Sequence, residues 1–315
     1  MKNKIEILRQ EISKQVIGQK ELIDALLIGL LSEGHILIEG VPGLAKTTAV
    51  NALSKSLGLS FHRVQFTADL LPSDILGAEV YHPKTETFEL KKGPIFTHLL
   101  LADEINRASA KVQSALLEVM QEKQVTIGEH SFKIEEPFMV LATQNPIDQE
   151  GTYNLPEAQL DRFMFKIIVG YNTEAEEFEI AKKAANKSFA VIDEVLSPTE
   201  LKQMQKDVQN IYIDDALTAY IVKLIFATRS PKEYNLEKLS DTIAYGASPR
   251  ATIDLLKAVK ASAYLRGKDE VNPIDIMVCV KNVLRHRIVL SYEALAEDIS
   301  SDDVIDILMQ TLEIP

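Results

Sequence analysis

"HILIEGVPGLAKTTAV", His35–Val50, runs from consecutive aliphatics through a glycine-rich turn into a segment of helix formers. Ile36, Leu37 and Ile38 read as a strand buried on both faces, and Gly40 and Gly43 as the punctuation of a tight turn. Within the stretch, "GVPGLAKT", Gly40–Thr47, fits the template GxxxxGK[ST] at every specified position but Ala45, where the template has glycine. Backbone N–H groups of such a loop, together with the N-terminus of the helix that follows, cradle phosphate oxygens. The expected binding residues are therefore Gly40, Val41, Pro42, Gly43, Leu44, Ala45, Lys46, Thr47 and Thr48. Lys46 would reach terminal phosphates as a point charge, and the Thr47 hydroxyl would hold Mg²⁺. If position 45 requires a positive φ, alanine costs about 1–2 kcal/mol there. Read alone, the stretch also fits an ordinary glycine-rich strand-to-helix turn.

A metal site and a base would have to come from a second element. In "THLLLADEINRA", Thr97–Ala108, an aliphatic run ends in Asp103 and Glu104, so two carboxylates fall at the carboxyl end of a strand, where open α/β sheets bind ligands. Asp103 is the expected second Mg²⁺ residue, and Glu104 is expected to orient and deprotonate an attacking water. The competing reading is a solvated acidic pair at a strand end.

Outward from these two motifs, residues 1–170 alternate short apolar runs with longer helical patterns, which predicts a parallel sheet between helices. The five candidate strands are "HILIEG", "SFHRVQF", "FTHLLLADE", "PFMVLATQN" and "RFMFKIIVG". Only the second, with His62, Arg63 and Gln65, has the polarity of an edge. Two segments, 77–94 around "PKTE" and 124–135 around "GEH", alternate as hairpins do. Past Gly170 strand signals stop, which predicts a connector over 171–197 and an all-helical unit over 198–315. Helix starts are marked by Ser197, Ser248 and Asn272, each followed by Pro. Behind Ser248 stands Arg250, a cation in a first turn, which opposes the helix dipole and so calls for an anion.

The chain has 315 residues, 46% of them hydrophobic, enough to bury a sizeable core. Its 34 basic and 46 acidic side chains give a formal net charge of -12, which excludes a broad electrostatic grip on nucleic acid or anionic lipid. The single cysteine, Cys279, lies in an apolar helical run and is expected to be a buried thiol. No stretch approaches the ~20 apolar residues of a membrane span, and "MKNKIEILRQEISKQ" lacks the apolar core of a signal peptide; the expected location is cytoplasmic. The six histidines have no ligand spacing, so no zinc or iron site is expected.

"GVPGLAKT", "LLADEINRA", "ATQNP" and "LPEAQLDRF" together resemble the MoxR family of AAA+ ATPases, and the resemblance spans Val16 to the C-terminal helices. It implies an α/β nucleotide-binding core, a helical lid, ATP and Mg²⁺ as ligands, and assembly into a ring, commonly hexameric. It also implies roles for single residues. Asn145 matches sensor 1, near the γ-phosphate; Arg162 matches the arginine finger offered to the neighbouring subunit; Arg250 matches sensor 2, whose anion would be the γ-phosphate of its own subunit. Val16, Ile17 and Gly18 resemble the segment that packs on adenine. The implied task is chaperone-like maturation of, or cofactor insertion into, partner proteins, often ones with a von Willebrand factor A domain. A DNA-remodelling motor and a magnesium-chelatase-like subunit share this architecture and stay open here, as does a nucleotide-gated scaffold.

Overall fold

The computed structural model describes residues 2–41, 43–146, 152–186 and 188–315. Eleven strands appear along the described chain: β1 (Ile36–Glu39), β2 (Phe61–Gln65), β3 (Gly77–His82), β4 (Thr87–Lys92), β5 (Leu99–Asp103), β6 (Gln124–Ile127), β7 (His130–Lys133), β8 (Met139–Gln144), β9 (Phe165–Ile168), β10 (Ile243–Tyr245) and β11 (Val289–Leu290). The five expected from the apolar runs form one parallel sheet in the order β2-β5-β8-β1-β9. Alternate residues feed two apolar clusters on opposite faces. Ile36, Ile38, Leu99, Leu101, Met139 and Leu141 join one, Leu37, Leu100, Ala102, Val140 and Ala142 the other.

β2 is an edge, as its polarity predicts, but β9 is the other edge, which its apolar sequence did not reveal. C-terminal residues cover it: Arg285 donates to the Lys166 carbonyl at 3.1 Å and His286 faces the Phe163 carbonyl at 2.9 Å. Covering an edge removes its unpaired backbone groups from solvent, so apolar residues are tolerated there.

Both segments are hairpins, β3–β4 and β6–β7. They lean on one another, because the Lys92 ammonium sits 4.9 Å from the Phe96 ring centre and 5.2 Å from that of Phe132 on β7. The C-terminal region is helical, with the expected caps at Ser197 and Ser248. Its departures from an all-helical unit are the short antiparallel ladder β10–β11 and an isolated parallel bridge between Tyr212 and Glu270. Asp275, in the first turn of the helix Pro273–Leu284, is fully buried and takes the Arg266 guanidinium at 2.8 and 2.5 Å. Cys279 is buried, and burial pushes its thiol pKa up. The larger cluster runs without a break from the sheet through the helix Lys20–Leu31 into these C-terminal helices.

His35, at the entry to β1, accepts from the Val140 N–H at Nδ1, 3.0 Å, and faces the Met120 carbonyl with Nε2, 3.0 Å. This is a neutral ring with its proton on Nε2. Burial lowers its pKa to about 4, against about 6.5 in an unfolded chain. The unfolded state therefore binds the proton first as pH falls, and stability is full above about pH 6.5 and lost below it. Between pH 6.5 and 4.5 the loss from His35 is about 2 kcal/mol. Buried His286, whose pKa burial also drives well below the usual value, adds to it. The thermal midpoint by circular dichroism should fall through this window; a flat midpoint from pH 7 to 4.5 would contradict the assignment.

Candidate nucleotide site

β1 delivers the loop 40–45 between the carboxyl ends of β8 and β9, and the helix Lys46–Ser56 begins directly behind it. Gly40 lies so close to the Val169 carbonyl that a Cβ would come within 2.9 Å of it. Gly43 has φ 90°, and Ala45 has φ 55°, the left-handed conformation that the template glycine would adopt without strain. The Lys46 Nζ donates to the Gly40 carbonyl at 2.6 Å and closes the loop on itself. Half-burial lowers the Lys46 pKa, while Asp103 and Glu104 oppose that shift.

Across the loop stands the end of β5. Register pairs Gln65 of β2 with Asp103, so side chains about forty residues apart meet. The Asp103 carboxylate takes Arg63 at 2.5 Å and the Thr143 hydroxyl at 2.5 Å. Thr143 in turn accepts the Glu104 N–H at 2.8 Å. Glu104, at φ 56°, is turned out of the strand, and its Oε2 accepts from Gln65 at 2.7 Å and Arg107 at 3.0 Å. A non-glycine left-handed residue costs of order 1–2 kcal/mol, and two of them, Ala45 and Glu104, belong to this site.

One cavity of about 320 Å³ unites the two halves, lined by residues 43–48, Arg63, Gln65, Asp103, Glu104, Thr143 and Asn145. Of the residues singled out from sequence, Gly43, Leu44, Ala45, Lys46, Thr47, Thr48, Asp103, Glu104 and Asn145 line it. Pro42 lies outside the described residues. Gly40 and Val41 form the base of the loop instead, with Val41 packed on the core. Val16 is buried in that core, the Ile17 carbonyl is held by Asn172 at 2.9 Å, and Gly18 has φ 71° against Glu176; none of the three lines the cavity.

Two expected arginines also lie outside the lining. Arg162 is half-buried after the short helix Glu157–Leu160. Arg250 meets Asp161, 3.8 Å from its carboxylate and 3.3 Å from its carbonyl. Among the described residues, the anion beside this first-turn cation is the Asp161 carboxylate.

Arg63, Gln65, Thr143 and Arg107 were not singled out. The polarity of "HRVQ" was legible only as an edge, and Thr143 stood unremarked inside "ATQNP".

The matches to known proteins agree with this arrangement. A profile of the "ATPase family associated with various cellular activities (AAA)" fits residues 35–165, and one of the AAA lid domain fits residues 238–308. Chaperone MoxR1 of Mycobacterium tuberculosis is 47% identical over 97% of this chain and 81% of its own length. The chain belongs to the MoxR family of AAA+ ATPases. Protein MoxR of Paracoccus denitrificans, 31% identical, covers 95% of this chain and 93% of itself. A crystal structure from Cytophaga hutchinsonii superposes with a TM-score of 0.95 at 48% identity, over 100% of this chain and 96% of that one. The MoxR resemblance, the α/β core and the helix-rich C-terminal region are therefore as the sequence predicted. Among the described residues no helix is long and apolar enough to cross a membrane.

Proposed function

We propose that this MoxR-family protein hydrolyses ATP in the cavity between residues 43–48 and the end of β5, and couples turnover to remodelling of partner proteins in a ring. The observation that carries the reading is the convergence of the phosphate loop, two carboxylates and Asn145 on one cavity. Among the described residues no cluster of three or more His, Cys, Asp or Glu could hold a metal. Mg²⁺ binds through one or two protein oxygens plus substrate phosphates and water, and Thr47 and Asp103, which line the same cavity, would hold it. When bound, the ion would neutralise charge on the phosphates.

Lys46 and the backbone N–H groups of the loop orient the triphosphate. Asp103, fixed by Thr143 and Arg63, is kept at the loop's far wall. Glu104 takes the proton of the attacking water, and Asn145 positions that water or the γ-phosphate. Arg162, supplied by the next subunit, stabilises the transition state, and Arg250 reads the nucleotide from the lid side.

Protein partners are supported over DNA by the charge of -12, and Lys92 on the β3–β4 hairpin is engaged with two ring faces. On the same hairpin Tyr81 and Phe88 pair with their rings 5.1 Å apart, 50% and 68% exposed, a surface suited to apolar peptide. The chaperone name of the mycobacterial relative supports the same choice; the partner class proposed is proteins with a von Willebrand factor A domain.

A finger in trans raises the rate by about 10³–10⁵. Phosphate release per subunit should therefore climb with protein concentration as rings form. Specific activity that is constant from dilute to concentrated protein would remove the trans role of Arg162.

A further inference from the structure

Asp161, immediately before Arg162, is where the C-terminal helices grip the core. Ser248 donates to both carboxylate oxygens at 2.9 Å, and the Arg287 Nε donates at 2.9 Å. The Asp161 carbonyl takes Arg287 at 3.2 Å and Arg250 at 3.3 Å.

Arg287 has a side chain only 1% exposed. Its remaining donors go to the carbonyls of Phe163 at 2.9 Å and Val283 at 3.0 Å and to Asp254 at 2.5 Å. A buried guanidinium with two carboxylates and several carbonyls is a rigid joint, since breaking one member leaves buried charge uncompensated. Its neighbours Arg285 and His286 reach the Lys166 and Phe163 carbonyls, so three consecutive residues seize the backbone around Arg162.

Arg250 is the loose member, 41% exposed and 3.8 Å from the carboxylate. Ser248, which caps the helix Pro249–Leu265 by accepting the Arg250 N–H, carries any movement of that helix start to Asp161.

We propose that Asp161 is a positioning residue that ties Arg162 to the lid of its own subunit, so that lid position in one subunit sets how its arginine is presented to the next. This rests on the reading of Arg162 as a finger in trans. A subunit whose lid has closed on nucleotide then offers a well-placed finger, and one whose lid is open does not.

Mixed rings test it. Glu104→Gln subunits bind ATP without turnover but still lend Arg162, and Arg162→Ala subunits have a working site but lend nothing. Activity in the mixture then comes from Arg162→Ala sites beside Glu104→Gln neighbours. Adding Asp161→Asn to the lending subunit should lower kcat of the mixture about 10-fold or more, with KM unchanged, because misplacement by about 1 Å is costly. Adding it to the receiving subunit should change kcat less than about twofold, since that subunit has no finger to place. This second arm also shows that the substituted chain folds and assembles. Equal loss in both arms would mean a merely structural role, and loss in neither would mean none; each overturns the proposal. If the unsubstituted mixture shows no activity above its components, the finger reading itself falls and takes the proposal with it.

Discussion

Replacing Glu104 by Gln is expected to lower ATP turnover by about 10²–10⁴-fold, the range a positioned general base contributes, while ATP affinity stays within about threefold. The substitution keeps volume and keeps an oxygen able to accept from Gln65 and Arg107, which hold the carboxylate at 2.7 and 3.0 Å. The backbone contact of residue 104 with Thr143 is untouched, so the Asp103–Thr143 link should survive. What is lost is the ability to take a proton. Single-turnover phosphate release together with fluorescent-nucleotide binding separates the two effects. A variant that still turned over at a tenth of the parent rate would exclude Glu104 as the base and direct attention to another group in the cavity. Because such a ring would stay loaded with ATP, the same variant is the bait for partners. It should retain protein in a pull-down with ATP and release it with ADP. Recovery of DNA without protein would reverse the choice of partner class.

The sequence carried a good part of this site, and the part it hid has a common cause. The five sheet strands were legible because β1, β5 and β8 are nearly continuous in buried aliphatics, and the hairpins because alternation brackets "PKTE" and "GEH". The loop was legible because its residues are consecutive. Arg63 and Gln65 were not, since only the parallel register of β2 on β5 sets them against Asp103 and Glu104. Thr143 becomes a bridge only through the β5–β8 pairing. Arg287 is further still: 126 residues separate it from Asp161, and nothing local distinguishes "RHR" from a solvated basic turn. The β9 edge was misjudged for the same reason, as its cover comes from the far end of the chain. Local pattern reports which face a residue occupies. It does not report which distant residue shares that face.

Within the loop itself, Lys46→Ala and Ala45→Gly should part company. Ala45 sits at φ 55°, ψ 17°, so glycine would relieve about 1–2 kcal/mol of backbone strain in the folded loop. Glycine also gives the unfolded chain more freedom, which costs about 0.4–1 kcal/mol. The second effect offsets part of the first, so stability should rise by no more than about 1.5 kcal/mol, and ATP affinity should change by less than about threefold. Lys46 has no such compensation. It is half-buried, its ammonium rests on the Gly40 carbonyl at 2.6 Å, and Asp103 and Glu104 stand nearby with opposite charge. Removing it leaves the phosphates without their cation and the carboxylates without a counter-charge, a loss of about 2–5 kcal/mol, or roughly 30- to 4,000-fold in affinity. Isothermal titration with ATP reads both variants on one scale. If Ala45→Gly lost as much as Lys46→Ala, the left-handed alanine would be shaping the loop for phosphate through its methyl group rather than tolerating a conformation meant for glycine.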